Sequence, residues 1–248
     1  SNSFEFIKKL ENELSDFENI RVKKNFSIIG IHDHSYLIGS ENMEQMERNS
    51  QSSIRQRLWR IRAKHVILAT GAIERPLVFA GNDIPGVMLC SAALEFYKLY
   101  GVSPGDRVVV LTNNDSAYSS VIELFNAGIS VPLVIDVREK SDGNLPLKAK
   151  KLGIRVEFSK AISKVIGKKK VKAVELCSVV GEGAVLETII CDSVLMSGGW
   201  TSTLNLWSHC GGKIKWDSKL NTLVPDESFP SINAVSYTHL RAHETGCY

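Results

Sequence analysis

The sequence lacks a CxxC cysteine pair, a long apolar run and a strong excess of charge of either sign. Five cysteines are present, but no two are separated by two residues, which counts against a disulfide reductase because that chemistry needs paired thiols. The formal net charge of +3 gives no argument for a nucleic-acid partner. No stretch has the length and apolarity of a membrane span. We therefore expect a cytoplasmic protein with reduced thiols and with neither a nucleic-acid nor a membrane partner.

Neither end of the sequence has the features of a native terminus. The chain starts within a helix-like apolar pattern over residues 3–17, without an initiator Met or a signal peptide. We expect an internal fragment of a longer protein. The tail over residues 235–248 begins VSYTHLRAHET, which resembles a translated sequencing adapter, so we exclude it from fold prediction as an artefact.

The run RAKHVILATGAIERP at residues 62–76 is the most informative part of the chain. Its segment Val66 to Ala69 is typical of a buried strand, and the strand stops abruptly at Thr70 and Gly71. Glycine has no Cβ, so backbone at this position can approach a bulky ligand closely. Open α/β sheets bind ligands at the carboxyl ends of their strands, and we therefore predict a cofactor contact here.

The order of the predicted elements indicates one nucleotide-binding domain interrupted by another. We predict that residues 1–104 belong to a first dinucleotide-binding domain whose opening GxGxxG unit is missing. Residues 105–191 would form an inserted second domain that begins as a βαβ unit, and residues 192–234 would return to the first. The predicted fold class is α/β, of the Rossmann-like FAD/NAD(P)-binding kind with two dinucleotide-binding domains.

Local patterns predict further elements. The prediction includes strands over 20–32 and 36–40, a polar loop over 41–56, and a helix over 201–210. The segments between residues 161 and 190 predict antiparallel strands, with turns at glycines.

The second domain has an altered phosphate loop. A dinucleotide fingerprint has the form GxGxxG/A after the first strand, but Thr112 and Asn114 stand at the first two glycine positions, and Ala117 keeps the third. Asp136 ends the next strand, where the ribose-binding acid usually lies. Two interpretations remain open. One is a modified nucleotide site that uses the amides of Asn113 and Asn114, and the other is a degenerate domain kept as a scaffold.

Three runs together resemble the alpha subunit of heterotetrameric sarcosine oxidase. They are RLWRIRAKHVILATGAIERPLVFAGNDIPGVML (57–89), GDRVVVLTNNDSAY (105–118) and ICDSVLMSGGWTSTLNLWSHCGGKIKWD (190–217). Two parts of these runs distinguish this family from related ones, namely TNNDSAY, and SGGW followed by GGKxxWD. The run ATGAIERP alone is shared more widely, with opine oxidase, hydrogen cyanide synthase and related amine dehydrogenase subunits. The resemblance covers residues 1–234.

The resemblance implies an oxidoreductase that acts on a CH–NH donor as part of a complex. Such a complex oxidises sarcosine to glycine with tetrahydrofolate and oxygen, and gives methylenetetrahydrofolate and hydrogen peroxide. The alpha subunit would hold NAD, the beta subunit FAD, and a covalent FMN would lie near the boundary between them. The implied partners are the beta, gamma and delta subunits. The folate domain would follow this segment, which we expect to be inactive alone and to bind dinucleotide poorly.

The resemblance also implies which residues contact the cofactor. The Ala-Thr-Gly run falls on the family's second cofactor-contacting motif, the Glu-Arg pair shapes the turn after it, and the altered loop and SGGW fall on further family motifs. We assign no catalytic residue and no metal site, and we interpret His32, His34 and the His209-Cys210 pair as structural. The candidate cofactor-binding residues are Ala69, Thr70, Gly71, Glu74, Arg75, Thr112, Asn113, Asn114, Gly198, Gly199 and Trp200.

Other functions remain open at this point. A subunit of an opine- or cyanide-forming amine dehydrogenase shares the ATGAIERP run but not TNND or SGGW. A FAD/NAD(P)H disulfide-reductase-like oxidoreductase has the same domain layout but needs a thiol pair. A binding module without cofactor is the remaining alternative.

Overall fold

The computed structural model describes residues 2–43, 55–226 and 229–235. Its described residues divide into two compact units. Unit 1 contains those up to Thr70 together with 204–215 and 224–235, and unit 2 contains 71–203 and 216–223. The predicted domain boundaries at 104/105 and 191/192 stay a prediction. Within the described ranges, no helix is long and apolar enough to cross a membrane.

The described chain alternates short strands with five helices. In chain order the elements are α1 (Asn2–Ser15), β1 (Phe26–His32), β2 (Tyr36–Asn42), β3 (Gln56–Arg62), β4 (Val66–Leu68), β5 (Ala72–Glu74), β6 (Val87–Leu89), α2 (Cys90–Tyr100), β7 (Arg107–Thr112), α3 (Ser116–Asn126), β8 (Ser130–Asp136), α4 (Asn144–Lys151), β9 (Val156–Phe158), β10 (Lys160–Gly167), β11 (Val171–Ser178), β12 (Val185–Ile190), β13 (Ser193–Ser197), β14 (Trp200–Ser202), α5 (Asn205–His209), β15 (Ile214–Asp217), β16 (Thr222–Pro225) and β17 (Ile232–Ala234).

Unit 1 is built around an antiparallel sheet of β1, β2 and β3, and β4 pairs in parallel with β17. The prediction of a strand over 20–32 was wrong at its start, because residues 20–25 lie outside any strand and are exposed. The interpretation of β4 as a fully buried strand was also wrong in part, since Ile67 is exposed while its two neighbours are buried.

The prediction of a polar loop over 41–56 was wrong at both ends, since Glu41 and Asn42 belong to β2 and Gln56 begins β3. Glu41 is a buried carboxylate of unit 1. Glu41 continues β2 and accepts hydrogen bonds of 2.7 Å from Lys23 Nζ and from Trp59 Nε1. These two bonds, led by the Lys23 ammonium, lower the pKa of the Glu41 carboxyl. A buried charge is stable only when it is paired in this way. Of the rest of the predicted loop, residues 44–54 lie outside the described residues.

Unit 2 is a three-layer arrangement around a parallel five-stranded sheet in the order β6-β13-β7-β8-β9. The run of valines in β7 is buried on both faces. Val108 and Val110 pack with α2, α3 and α4, whereas Val109 and Leu111 pack with the antiparallel sheet β10-β11-β12. A parallel strand covered on both faces is apolar at successive positions, which is why the sequence pattern identified β7 correctly.

Most of the predicted elements of unit 2 are confirmed, including the βαβ unit and the antiparallel strands between residues 160 and 190. The helix predicted over 201–210 was wrong at its start. Its first residues form β14, which pairs antiparallel with β5, and the helix covers only Asn205–His209. Thr203 also donates its backbone N–H to Gly71 O at 3.0 Å. Tertiary pairing therefore overrides the local helical pattern.

Candidate cofactor site

The carboxyl ends of β7 and β13 lie side by side at the centre of the parallel sheet. Thr112 and Ser197 are register partners at the last position of the two strands. From β7 the chain continues through α3 to β8 on one side, while β13 occupies the other side. A reversal of strand order of this kind opens a crevice in which α/β sheets bind ligands. We call this place the β7–β13 crevice.

Asn114 is the central side chain of the loop that follows β7. Its Oδ1 accepts hydrogen bonds from the backbone N of Ser116 at 3.1 Å and from Ser116 Oγ at 2.5 Å. Its Nδ2 donates to Ser197 O at 3.1 Å and to Ser197 Oγ at 3.0 Å. The amide therefore satisfies an N–H at the start of α3 and ties the loop to the end of β13.

Thr112, at the first glycine position of the fingerprint, stabilises the loop from within. Its Oγ1 accepts a hydrogen bond from Asn114 N at 3.1 Å and donates one to Asn114 O at 3.0 Å. Asn113 donates its backbone N–H to Ser197 O at 3.3 Å. A hydroxyl that bonds backbone two residues ahead is a local turn device. The loop is thus held by its own side chains.

Trp200 brings the SGGW motif onto the same loop. Its indole Nε1 donates a hydrogen bond of 2.9 Å to Ser116 Oγ, and the ring is half-buried. The two runs that discriminate the resemblance, TNNDSAY and SGGW, are therefore in direct contact. Sequence reasoning singled out both runs but did not predict that they would touch.

A buried ionic cluster lies beside the loop at the end of β8. Asp136 is fully buried and accepts hydrogen bonds from Tyr118 Oη at 2.8 Å, from Arg138 Nη2 at 2.7 Å and from Arg138 Nε at 3.0 Å. Arg138 Nη2 also donates to Asp115 Oδ1 at 2.7 Å. Burial, followed by the charge of Asp136, raises the pKa of Tyr118. The hydrogen bond to Asp136 is the main factor that raises the pKa of Arg138.

Sequence reasoning found Asp136 but missed Arg138. Arg138 could have been suspected from its position two residues after the acid that ends β8, because a side chain there can turn back onto the end of the strand. Tyr118 was quoted only as part of the TNNDSAY run, and the structure buries it completely.

Glu74 holds the start of α2. Its side chain is buried, and Oε2 accepts hydrogen bonds from Ser91 N at 2.8 Å and from Ser91 Oγ at 2.6 Å. A carboxylate at a helix N-terminus satisfies an unpaired N–H and interacts favourably with the helix dipole. The geometry therefore gives Glu74 a structural role, and its predicted contact with a cofactor stays a prediction.

Glu74→Gln is expected to lower the free energy of unfolding by about 1 kcal/mol, because the amide keeps an acceptor but loses the charge at the helix N-terminus. Urea denaturation followed by circular dichroism would measure the change. The matched control is Glu95→Gln on the exposed face of the same helix, for which we expect a change smaller than about 0.5 kcal/mol. Equal effects from the two variants would contradict the capping role.

Arg75 joins three segments of unit 2. Its backbone N donates to Gly199 O at 2.8 Å, and its Nη2 donates to Asn221 O at 2.9 Å. The guanidinium carbon also lies 5.3 Å from the centroid of the Trp216 ring, which is a cation–π distance. The predicted role of Arg75 in shaping the turn is compatible with these contacts.

The glycines of the two motifs have different surroundings. Gly198 donates its N–H to Arg75 O at 2.7 Å, and a Cβ on Gly198 would lie 2.9 Å from Arg75 O and 3.0 Å from Pro76 O. Gly199 has a φ of 85° and Gly71 a φ of 70°, a region that favours glycine. Among the described atoms, none would lie within 4 Å of a Cβ on Gly71.

Ala69 and Thr70 follow β4 in unit 1, and both are exposed. The strand before them is held in parallel register with β17, and Val235 donates its N–H to Leu68 O at 2.9 Å. Small exposed residues at a parallel strand end are compatible with close approach of a cofactor. Their contact with NAD stays a prediction. Val235 is the first residue of the tail over 235–248 that was predicted to be an artefact, and residues 236–248 of that tail lie outside the described residues.

The four described cysteines are free thiols. Burial raises the pKa of the Cys191 thiol to about 12 and also raises the pKa of Cys90 and of Cys210. Because the thiolate is the reactive form, these three cysteines are poor nucleophiles. These three thiols therefore give no support to thiol–disulfide chemistry.

Two of the histidines noted in the sequence, His32 and His209, lie together in unit 1. His209 Nδ1 accepts a hydrogen bond of 3.1 Å from the backbone N of Ile31, and the rings of His209 and His32 are 5.4 Å apart. In the part of the chain that the structure describes, no three His, Cys, Asp or Glu side chains are grouped so that they could hold a metal ion.

No family model matches this sequence, but several characterised proteins do. The sarcosine oxidase alpha subunit of Rhizobium meliloti (strain 1021) is 34% identical over 87% of this chain and 21% of its own length. That of Corynebacterium sp. (strain P-1) is 33% identical over 95% of this chain and 24% of its own length. An opine oxidase subunit of Agrobacterium tumefaciens (strain Ach5) is 25% identical over 64% of this chain and 35% of its own. The chain thus spans about a quarter of the sarcosine oxidase relatives.

Solved structures resemble the chain in fold. Thioredoxin reductase of T. acidophilum superposes with a TM-score of 0.65 at 18% identity, over 94% of this chain and 71% of that one. L-Proline dehydrogenase of P. horikoshii superposes with a TM-score of 0.57 at 22% identity, over 92% of this chain and 39% of that one. A FAD-dependent pyridine nucleotide-disulphide oxidoreductase of Desulfovibrio vulgaris superposes with a TM-score of 0.57 at 14% identity, over 85% of this chain and 52% of that one. The predicted Rossmann-like α/β fold class is therefore confirmed.

Proposed function

This chain is similar to the sarcosine oxidase alpha subunits over most of its length, and we propose that it serves as the dinucleotide-binding part of such a protein. The whole complex would oxidise sarcosine to glycine. Two electrons would pass to oxygen to give hydrogen peroxide, and the methyl carbon would pass to tetrahydrofolate as methylenetetrahydrofolate. The partners would be the beta, gamma and delta subunits.

The alignment is the observation that carries this proposal. The three sarcosine oxidase alpha subunits are 30% to 34% identical to the chain over 87% to 98% of its length. The two opine oxidase subunits are 25% and 26% identical over 64% and 66%. The contact between the TNNDSAY and SGGW runs supports the same assignment, because both discriminating runs contribute to one hydrogen-bonded cluster. An opine oxidase subunit is the second candidate.

The proposed cofactor of this chain is NAD, held at Ala69, Thr70 and Gly71. The exposure of these residues and the open space around Gly71 fit the close approach of a dinucleotide. NAD supplies hydride-transfer chemistry when it is bound, but we propose that it is not turned over rapidly. The altered fingerprint supports this, since Thr112 and Asn114 replace the glycines on which a second nucleotide would rest. FAD and FMN are proposed for the complex, outside this chain's described residues.

Co-expression of the full-length protein with its neighbouring subunit genes would test the function. We expect sarcosine-dependent formation of methylenetetrahydrofolate and hydrogen peroxide, and release of NAD on denaturation. The control is the same assay without sarcosine. Added NADH should be consumed at least about tenfold more slowly than sarcosine. Activity with an opine and none with sarcosine would favour the second candidate, and rapid consumption of NADH would contradict the proposed role of NAD.

A further inference from the structure

We infer that the β7–β13 crevice is filled by the chain's own side chains and takes no dinucleotide. The fold provides this place for a nucleotide, and the sequence left open whether it does so here. The inference goes beyond the proposed function, which concerns NAD at Ala69, Thr70 and Gly71, and it does not depend on which amine is oxidised.

A side chain of the loop occupies the place of the pyrophosphate. In a dinucleotide site the phosphates accept hydrogen bonds from backbone N–H groups at the N-terminus of the first helix, above a glycine that keeps the space free. Here Asn114 Oδ1 accepts from Ser116 N and from Ser116 Oγ at that helix end. The amide oxygen therefore performs the role of a phosphate oxygen.

A network of hydrogen bonds holds the Asn114 amide in place. Both polar atoms of the Asn114 side chain are bonded: Oδ1 accepts from Ser116, and the two N–H groups of Nδ2 are shared among three acceptors, Ser197 O, Ser197 Oγ and Asn113 Oδ1. Trp200 donates to the same Ser116 Oγ that bonds the amide. A phosphate could displace Asn114 only by breaking this network, and the fully buried Ser197 hydroxyl would then lose a partner, which is costly.

The acid that would bind the ribose is bonded to the chain's own side chains. The acid at the end of the second strand normally accepts a hydrogen bond from a ribose hydroxyl. Asp136 is instead saturated by Tyr118 Oη and by Arg138, whose guanidinium bonds both of its carboxylate oxygens. The same guanidinium pairs with Asp115 in the loop. A ribose hydroxyl would have to displace either the buried Tyr118 hydroxyl or a charged guanidinium N–H, and each displacement leaves a buried or charged group without its partner.

The test uses the full-length protein and three variants. Binding of NAD, NADH and NADPH is measured by calorimetry, and Tm by differential scanning fluorimetry. Asn114→Ala removes the internal ligand. Asn114→Asp keeps an acceptor that suits a helix N-terminus but would repel a bound pyrophosphate. The matched control is Asn113→Ala, whose side chain accepts a single hydrogen bond, from Asn114.

We expect at most one dinucleotide per chain, and an affinity within about twofold of wild type in all three variants. Asn114→Ala should lower Tm by roughly 3–6 °C, and Asn113→Ala should change it by less than half as much. Two dinucleotides per chain, or a loss of about tenfold or more in affinity with Asn114→Asp, would overturn the inference. A protein that binds no dinucleotide would contradict the proposed NAD role and leave this inference standing.

Discussion

Asp136→Ala is expected to lower the free energy of unfolding by about 3–5 kcal/mol, because it removes one partner of a buried ion pair. The carboxylate is fully buried and pairs with Arg138, whose side chain is 29% exposed. Its removal leaves the guanidinium with Asp115 alone and leaves the buried Tyr118 hydroxyl without its acceptor. Equilibrium denaturation in urea, followed by circular dichroism, would measure the loss.

Two further variants make the Asp136 result specific. Asp142→Ala removes a carboxylate that is 89% exposed, and we expect a change within about 0.5 kcal/mol. Asp136→Asn keeps the shape and one acceptor, so its effect should fall between those of the two alanine variants. A loss smaller than about 1 kcal/mol with Asp136→Ala would contradict the buried-pair argument and show that Asp115 suffices for Arg138.

Gly198→Ala is expected to lower the free energy of unfolding by about 2–3 kcal/mol, near the upper end of the usual cost of overpacking. The added Cβ would approach the carbonyl oxygens of Arg75 and Pro76 to 2.9 and 3.0 Å. Those carbonyls belong to backbone that is itself fixed by the hydrogen bond from Gly198 N to Arg75 O. The clash is costly to relieve, because the new Cβ is fixed to the Gly198 backbone and the two carbonyl oxygens also belong to backbone.

The matched control for Gly198 is Gly183→Ala in the turn before β12. Gly183 has a φ of 75°, and among the described atoms none lies within 4 Å of its added Cβ. The loss of free energy of unfolding then comes only from placing an alanine at a positive φ, and we expect it to be about 1–2 kcal/mol. NAD content per folded protein is the second measurement, and we expect it to be unchanged by Gly198→Ala. Normal stability together with lost NAD would show that Gly198 contacts the cofactor instead of packing against Arg75 and Pro76.

Local patterns were sufficient for much of unit 2. The βαβ unit at the start of the predicted second domain was recognised correctly, because strands buried on both faces and a helix closed by glycine have short-range signatures. The fold class follows from the order of these elements. The same approach was wrong for residues 201–203, because a helical pattern of apolar residues cannot reveal a backbone partner such as β5.

The order of the strands in the parallel sheet could not be predicted from local patterns either. β13 lies between β6 and β7, although it follows β7 by about eighty residues in the chain. Pairing between distant strands depends on which faces are covered elsewhere in the domain, and no local periodicity records that. Ser197 and Trp200 are brought to the fingerprint loop only by this placement.

The sequence by itself determined the chemistry available in the crevice. It shows that Thr112 and Asn114 stand in place of glycines and that an acid ends the next strand, and it identifies the runs shared with sarcosine oxidase alpha subunits. The tertiary structure alone decided how those groups are satisfied. A hydrogen bond depends on distances between atoms that the fold brings together, so only the fold could pair Asn114 with Ser197 and Asp136 with Tyr118.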